Sequence, residues 1–197
     1  MADQTTLLKP VTAFGAETAR VDRIGAITIT EDPGVALASV AARLGATPEA
    51  IPRPEPGQYT EADGRGALWT GPGQWMIIAP LADAPDLAGT LAAELGKTAS
   101  VTDQTDAWVC FRIDVTDRSD DTRRPKPATA LFERLCNLDI ARMDGHSGTR
   151  TIIEHLGCLV ICHQADRRFT VLGPRSSAGS LHHALTLAAK TVATREG

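Results

Sequence analysis

The sequence predicts an α+β fold with mostly antiparallel sheet, and two observations carry that prediction. Four amphipathic stretches are each entered from a strand and closed by a glycine or a polar turn. Alternating segments between them are joined by connections short enough for hairpins. A doubly wound parallel sheet would alternate strand and helix without hairpins, which makes it the second choice. The passage from strand through a Pro/Asp-bearing turn to a leucine-seamed helix recurs, so the fold reads as duplicated.

Taken in order, residues 1–20 show no sustained period and read as an arm or a lone strand. In 24-IGAITIT-30, Ile27 and Ile29 share one face of a strand. Asp32-Pro33 is a good helix entry. After it, Leu37, Val40, Ala41 and Leu44 recur at helical spacing and Gly45 suits a helix stop, so 35–45 reads as a core-facing helix. Residues 46–66 are rich in Pro and Gly and read as a surface loop. The stretch 68-LWTGPGQWMIIAP-80 reads as a strand, a hairpin turn at 71-GPG-73 and a second strand, with Trp75, Ile77 and Ala79 on one face. Trp69 is a candidate for a subunit contact.

A second helix is expected where Leu87, Leu91 and Leu95 form a seam ending at Gly96. In 107-AWVCFRIDV-115, Val109, Phe111, Ile113 and Val115 share one face of a half-buried strand. A third helix is expected over 127–140, strands over 149–156, 158–163 and 168–173, and a last helix over 176–190. That helix starts at a serine cap and packs Ala178, Leu181, Leu185 and Ala188. The expected organisation is an arm (1–20) and one α+β domain (21–197) of two intertwined subdomains, approximately 21–100 and 101–197.

Composition narrows the function. The chain has 197 residues, 43% of them hydrophobic, and can bury about 70% of its unfolded surface without disulfides or metals. A net charge of −4 without a basic block argues against nucleic acid as a partner. The mixed-charge segment around 117-DRSDD-121, Arg123, Arg124 and Lys126 reads as a solvated loop. No apolar run reaches the roughly 18 residues of a membrane span, and the N-terminus lacks a secretion-signal pattern, so a cytoplasmic location is expected. Cys110, Cys136, Cys158 and Cys162 sit among apolar neighbours as reduced, hydrophobic thiols.

No group of residues in the sequence assembles a chemical site. Neither Gly64/Gly66 nor Gly71/Gly73 opens a helix as a dinucleotide fingerprint requires, and no phosphate-binding G-x-x-x-x-G-K-[ST] loop is present. His155, Cys158, Cys162 and His163 loosely imitate a zinc site. On a strand, however, the two cysteines lie roughly 13 Å apart, too far to share one ion. His182 and His183 point in different directions from a helix and read as surface or boundary residues. Cys136 reads as mid-helix packing, and Asp103/Asp106 and Asp120/Asp121 as turn formers. No catalytic, cofactor-binding or metal-binding residue is therefore assigned.

One resemblance spans most of the chain. The order 71-GPGQW-75, 101-VTDQTDAWVCFRIDV-115, 135-LCNLDI-140, 149-TRTIIEHLGCLV-160 and 168-RFTVLGPRSSAGSLHHAL-185 resembles the gamma subunit of heterotetrameric sarcosine oxidase. The family pattern of G-P-x-x-W falls on Gly71, Pro72 and Trp75, and V-x-D-x-[ST] on Val101, Asp103 and Thr105. The leucine–aspartate pair falls on Leu138 and Asp139, and the arginine–serine helix entry on Arg175 and Ser176. Where such chains have a short Gly-Pro entry to the third helix, this one has the longer 116-TDRSDDTRRPKP-127.

The resemblance implies a fold similar to the folate-binding domain of the glycine-cleavage aminomethyltransferases. It implies membership of a complex with alpha, beta and delta chains that oxidises sarcosine, forms peroxide and passes the methyl carbon to tetrahydrofolate. FAD, covalent FMN, NAD, tetrahydrofolate and zinc would all belong to those other subunits. This chain would then be non-catalytic. The alternative is a stand-alone folate-binding one-carbon transferase or repair protein, with Asp103 or Asp106 nominated to hold the pterin. A metal-dependent enzyme built on the Cys/His segment is the third reading.

Overall fold

Eleven strands and three α-helices occupy the described residues, 11–116 and 125–196, of the computed structural model. In chain order they are β1 (Val21–Ile24), β2 (Ile27–Glu31), β3 (Val35–Ala42), β4 (Tyr59–Ala62), β5 (Arg65–Gly71) and β6 (Gln74–Pro80). Then follow α1 (Leu87–Leu95), β7 (Ala99–Asp103), β8 (Trp108–Val115), α2 (Pro127–Leu135), β9 (Gly148–Ile153), β10 (Leu156–Gln164), β11 (Arg168–Pro174) and α3 (Ala178–Glu196). Every paired strand is antiparallel, in a six-stranded sheet ordered β1-β2-β8-β11-β10-β9 and a five-stranded sheet ordered β4-β5-β6-β3-β7.

Side-chain alternation turns these sheets into four layers. Phe111, Ile113, Cys158, Val160 and Val171 send the outer face of the six-stranded sheet against Leu131 and Phe132 of α2 and Leu181 and Leu185 of α3. Trp75, Ile77 and Ala79 face Leu87, Leu91 and Leu95 of α1 on the outside of the other sheet. The inner faces meet through Leu37, Tyr59, Leu68, Met76, Cys110, Leu159, Ile161 and Leu172. At one border the sheets touch directly: Tyr59 N donates to His146 O (2.7 Å) and Gly148 N to Gly57 O (3.0 Å), beside a bridge between Gln58 and Ser147.

Local signals explain several elements. Asp86 accepts from Gly89 N to open α1, and Gly96, with φ of 51°, closes it. Pro72-Gly73 turns β5 into β6 with φ of 65° at Gly73, as a type II turn demands, and sets Trp69 directly opposite Trp75. Trp69 packs, half-buried, against the α1-side core.

The structure corrects other expectations. Residues 35–42 form a strand, not a helix. β3 lies between β6 and β7 with both faces covered, and its Val/Leu/Ala run fits either period. Asp32 instead closes a tight turn onto Gly34 N (3.0 Å), and Leu44 is fully exposed beyond the strand. The single strand expected over 24–30 is a hairpin turning at Gly25-Ala26. The loop over 46–66 contains β4 and the start of β5. The third helix stops at Leu135, where Cys136 turns extended, and a single 3-10 turn follows at Ile140–Arg142. The β9–β10 reversal falls at Glu154-His155 rather than at Gly157. Ser176 lies in a 3-10 turn without a side-chain cap, and α3 starts at Ala178. Asp120, Asp121, Arg123 and Arg124 lie outside the described residues, as do residues 1–10.

Candidate functional site

The residues that carry the sequence resemblance act as internal tethers. Trp75 Nε1 donates to Pro54 O at 3.3 Å, pinning the proline-rich loop to β6. Asp103 accepts from Thr105 N (2.9 Å), and the Thr105 hydroxyl accepts from Leu37 N (3.1 Å) while lying 3.3 Å from Leu37 O. Gln104 then bonds Leu37 O through its backbone N–H (2.8 Å) and accepts from Trp108 Nε1 (3.3 Å). Asp139 leads into the 3-10 turn. Arg175 holds the backbone of Val11 and Thr12. Asp106 takes part in none of these side-chain bonds and is exposed.

Four polar side chains gather where the two sheets meet. Tyr59, the chain's only tyrosine, donates from its hydroxyl to Glu61 Oε1 at 2.6 Å. The same oxygen lies 3.8 Å from Nδ1 of His163, whose Nε2 is 2.9 Å from the Thr170 hydroxyl. The Tyr59 and His163 rings meet edge-on at 5.4 Å. Tyr59 fits because residue 66 is glycine: a Cβ there would come within 2.3 Å of its hydroxyl oxygen. Burial, reinforced by Glu61, holds the Tyr59 hydroxyl protonated far above its ordinary range. Burial also lowers the pKa of His163, against the opposing pull of Glu61. This array can clamp the sheets. Its four residues line neither the groove between α2 and α3 nor the small void beside Trp108.

This cluster is not legible in the sequence, where Tyr59 and Glu61 fall within the Pro/Gly-rich stretch that reads as a loop. The alternation in 59-YTEA-62 was the available signal.

The imitation zinc set is split by the strand it lies on. Cys158 and Cys162 face the helix-side core, whereas His163 faces Tyr59 on the opposite side of β10, and His155 sits in the reversal. Burial pushes Cys158 and Cys162 up to about 11 and raises Cys110 and Cys136 as well, so all four thiols are held protonated. His182 is a boundary residue, hydrogen-bonded to Asp22 Oδ2 at 2.7 Å, and His183 is exposed.

Two hollows frame what remains. A void of about 20 Å³ borders the inter-sheet layer between Leu37, Trp108, Cys110, Glu31 and Arg175. An open groove of about 830 Å³ runs between α2 and α3, with Leu135, Ala184, Leu187 and Ala188 on its walls and Arg134, Glu154 and His183 at its rim. A small-molecule pocket needs roughly 300–1,000 Å³ of enclosed space. The inter-sheet layer is filled by buried Leu, Met and Ile side chains.

Solved structures share this arrangement. A chain of heterotetrameric sarcosine oxidase from Corynebacterium sp. U-96, in complex with pyrrole 2-carboxylate, superposes with a TM-score of 0.70 over 88% of both chains at 18% identity. This is the aminomethyltransferase-type fold. The glycine cleavage system aminomethyltransferase T from Bartonella henselae has it too, with a TM-score of 0.58 and 14% identity, over 85% of this chain and 50% of that one. No protein-family model and no curated protein sequence matches the chain. The fold implied by the sequence resemblance is the fold found. No helix among the described residues is long and apolar enough to cross a membrane.

Proposed function

We propose that this chain is the non-catalytic gamma subunit of a sarcosine oxidase-type complex. The carrying observation is the superposition over 88% of both chains, which makes them nearly equal in length, with a heterotetrameric oxidase. The internal tethering of the resemblance residues supports the same reading, since Asp103, Thr105 and Trp75 are engaged in holding strands and a loop. In this proposal alpha, beta and delta chains carry FAD, covalent FMN, NAD, the tetrahydrofolate site and zinc. The assembly oxidises sarcosine to glycine in the cytoplasm, reduces oxygen to peroxide and delivers the methyl carbon to tetrahydrofolate.

Co-expression tests it. With the large flavin-bearing chain, the protein is expected to co-purify as a yellow complex; alone it is expected to be colourless and inactive. Flavin absorbance and sarcosine-dependent peroxide formation by the lone chain would overturn the proposal. The stand-alone one-carbon transferase has one favouring observation, the fold shared with an aminomethyltransferase. Calorimetric titration with tetrahydrofolate separates the two, since the packed inter-sheet layer predicts no heat of binding to the lone chain.

A further inference from the structure

The chain contains two Asp-Gly pairs, Asp63-Gly64 and Asp144-Gly145, and the fold treats them oppositely. An aspartate before glycine can react with its own main chain, because no Cβ on the next residue shields the peptide nitrogen. The reaction needs a carboxyl group free to be protonated and a peptide plane free to turn.

Asp63-Gly64 is the two-residue turn of the β4–β5 hairpin, between the paired Ala62 and Arg65. Both residues are left-handed, with φ of 52° and 74°, and both are exposed. Gly64 N donates to no backbone acceptor among the described residues, and nothing lies within 4 Å of where a Gly64 Cβ would stand. The Asp63 carboxylate has no ion-pair partner among the described residues, since the neighbouring Arg65 turns its guanidinium to Glu94 at 2.7 Å.

Asp144-Gly145 is held. Asp144 Oδ1 accepts from His146 N (3.0 Å) and from the Ser147 hydroxyl (2.9 Å). The His146 peptide donor, helped by Ser147, keeps the Asp144 carboxyl below its ordinary pKa. The ionised form does not react, because oxide is not a leaving group. Gly145 is also backed against β10: a Cβ there would stand 2.9 Å from His163 O.

We propose that Asp63 is a site of isoaspartate formation, whereas Asp144 is protected. The Gly64 peptide nitrogen attacks Cγ of protonated Asp63; the N–Cγ bond forms, and the amide proton and the acid hydroxyl leave as water. Solvent water then opens the succinimide. Addition at the Cγ carbonyl restores aspartate. Addition at the α-carbonyl breaks its bond to nitrogen, so the main chain runs through Cβ and the α-carboxylate becomes the side chain. Nothing is oxidised or reduced. The extra backbone atom falls beside the Ala62–Arg65 pair, at the end of the strand that carries Tyr59 and Glu61. An exposed isoaspartyl turn is the substrate class of a protein-isoaspartate O-methyltransferase. The proposal rests on this hairpin and is independent of the sarcosine oxidase reading.

The test ages the full chain in buffer and counts isoaspartate by methyl transfer from radiolabelled S-adenosylmethionine with an isoaspartate methyltransferase. Peptide mapping assigns each position. Isoaspartate is expected at residue 63 in about tenfold or greater excess over residue 144, whose reactive acid form is suppressed. Asp63→Glu, whose carboxyl is too distant to close the five-membered ring, should remove most methyl acceptance. Ser147→Ala should raise the yield at residue 144. Equal yields at the two sites, no isoaspartate at residue 63, undiminished methyl acceptance in Asp63→Glu, or no rise at residue 144 in Ser147→Ala would each overturn the proposal.

Discussion

The hydroxyl of Thr105 grips both backbone polar groups of Leu37, 3.1 Å from its nitrogen and 3.3 Å from its oxygen, across the junction of β7 and β3. Leu37 O keeps a second donor in Gln104 N, but Leu37 N depends on that hydroxyl. Thr105→Val preserves shape and removes the acceptor. It is expected to cost about 1–2 kcal/mol of unfolding free energy, measured by urea denaturation. A loss within error would remove this tether from the account of the V-x-D-x-[ST] motif.

Gly66 makes a comparable prediction by exclusion. An alanine Cβ would meet the Tyr59 hydroxyl at 2.3 Å and its ring carbons at 2.8 and 2.9 Å. The ring is 5% exposed between the sheets and must shift from Glu61 and His163. Gly66→Ala is expected to destabilise by about 1–3 kcal/mol, as overpacking does, with the melting midpoint as readout.

His163 links stability to pH. Burial depresses its folded pKa below the unfolded value of 6.5. The unfolded chain therefore binds more protons as pH falls through that value, and stability rises with pH there. The contribution is fully present above pH 6.5 and is lost as pH falls through the folded pKa. Unfolding free energies measured across this window should slope less in His163→Gln than in the wild type. Glu61→Gln should steepen the slope, because the Glu61 charge is the main influence opposing burial.

These sites divide by how local their causes are. α1 was legible because its leucine seam, Asp86 and Gly96 lie within one short stretch. The 71-GPG-73 turn was legible for the same reason. β3 was not, because a strand covered on both faces shows the continuous apolar run that a buried helix also shows. The Tyr59–Glu61–His163–Thr170 cluster was hidden more deeply. Its members meet only because β4 and β10 come together where two different sheets join. Glu31 was likewise invisible as a buried carboxylate until residues 13 and 20 were seen to supply its donors.

The β9–β10 reversal carries avoidable strain. Glu154 and His155 have φ of 48° and 66°, both left-handed, in a two-residue hairpin between the paired Ile153 and Leu156. Such turns favour Asn-Gly because neither residue is strained there. The double substitution Glu154→Asn, His155→Gly is expected to stabilise the fold by about 1 kcal/mol, seen as a raised melting temperature.

The groove between α2 and α3 gives the assembly proposal a local test. Leu187 is 54% exposed on α3, with Ala184 and Ala188 beside it on the groove wall. A partner chain seated there would bury that leucine, and aspartate in its place would set an unpaired charge in the contact. Leu187 is solvent-facing in the lone chain, so Leu187→Asp should change the chain's own stability by no more than about 0.5 kcal/mol. Flavoprotein recovered with a tagged Leu187→Asp chain on co-expression should fall about tenfold relative to wild type. Recovery at the wild-type level, with the melt unchanged, would place the partner on another face.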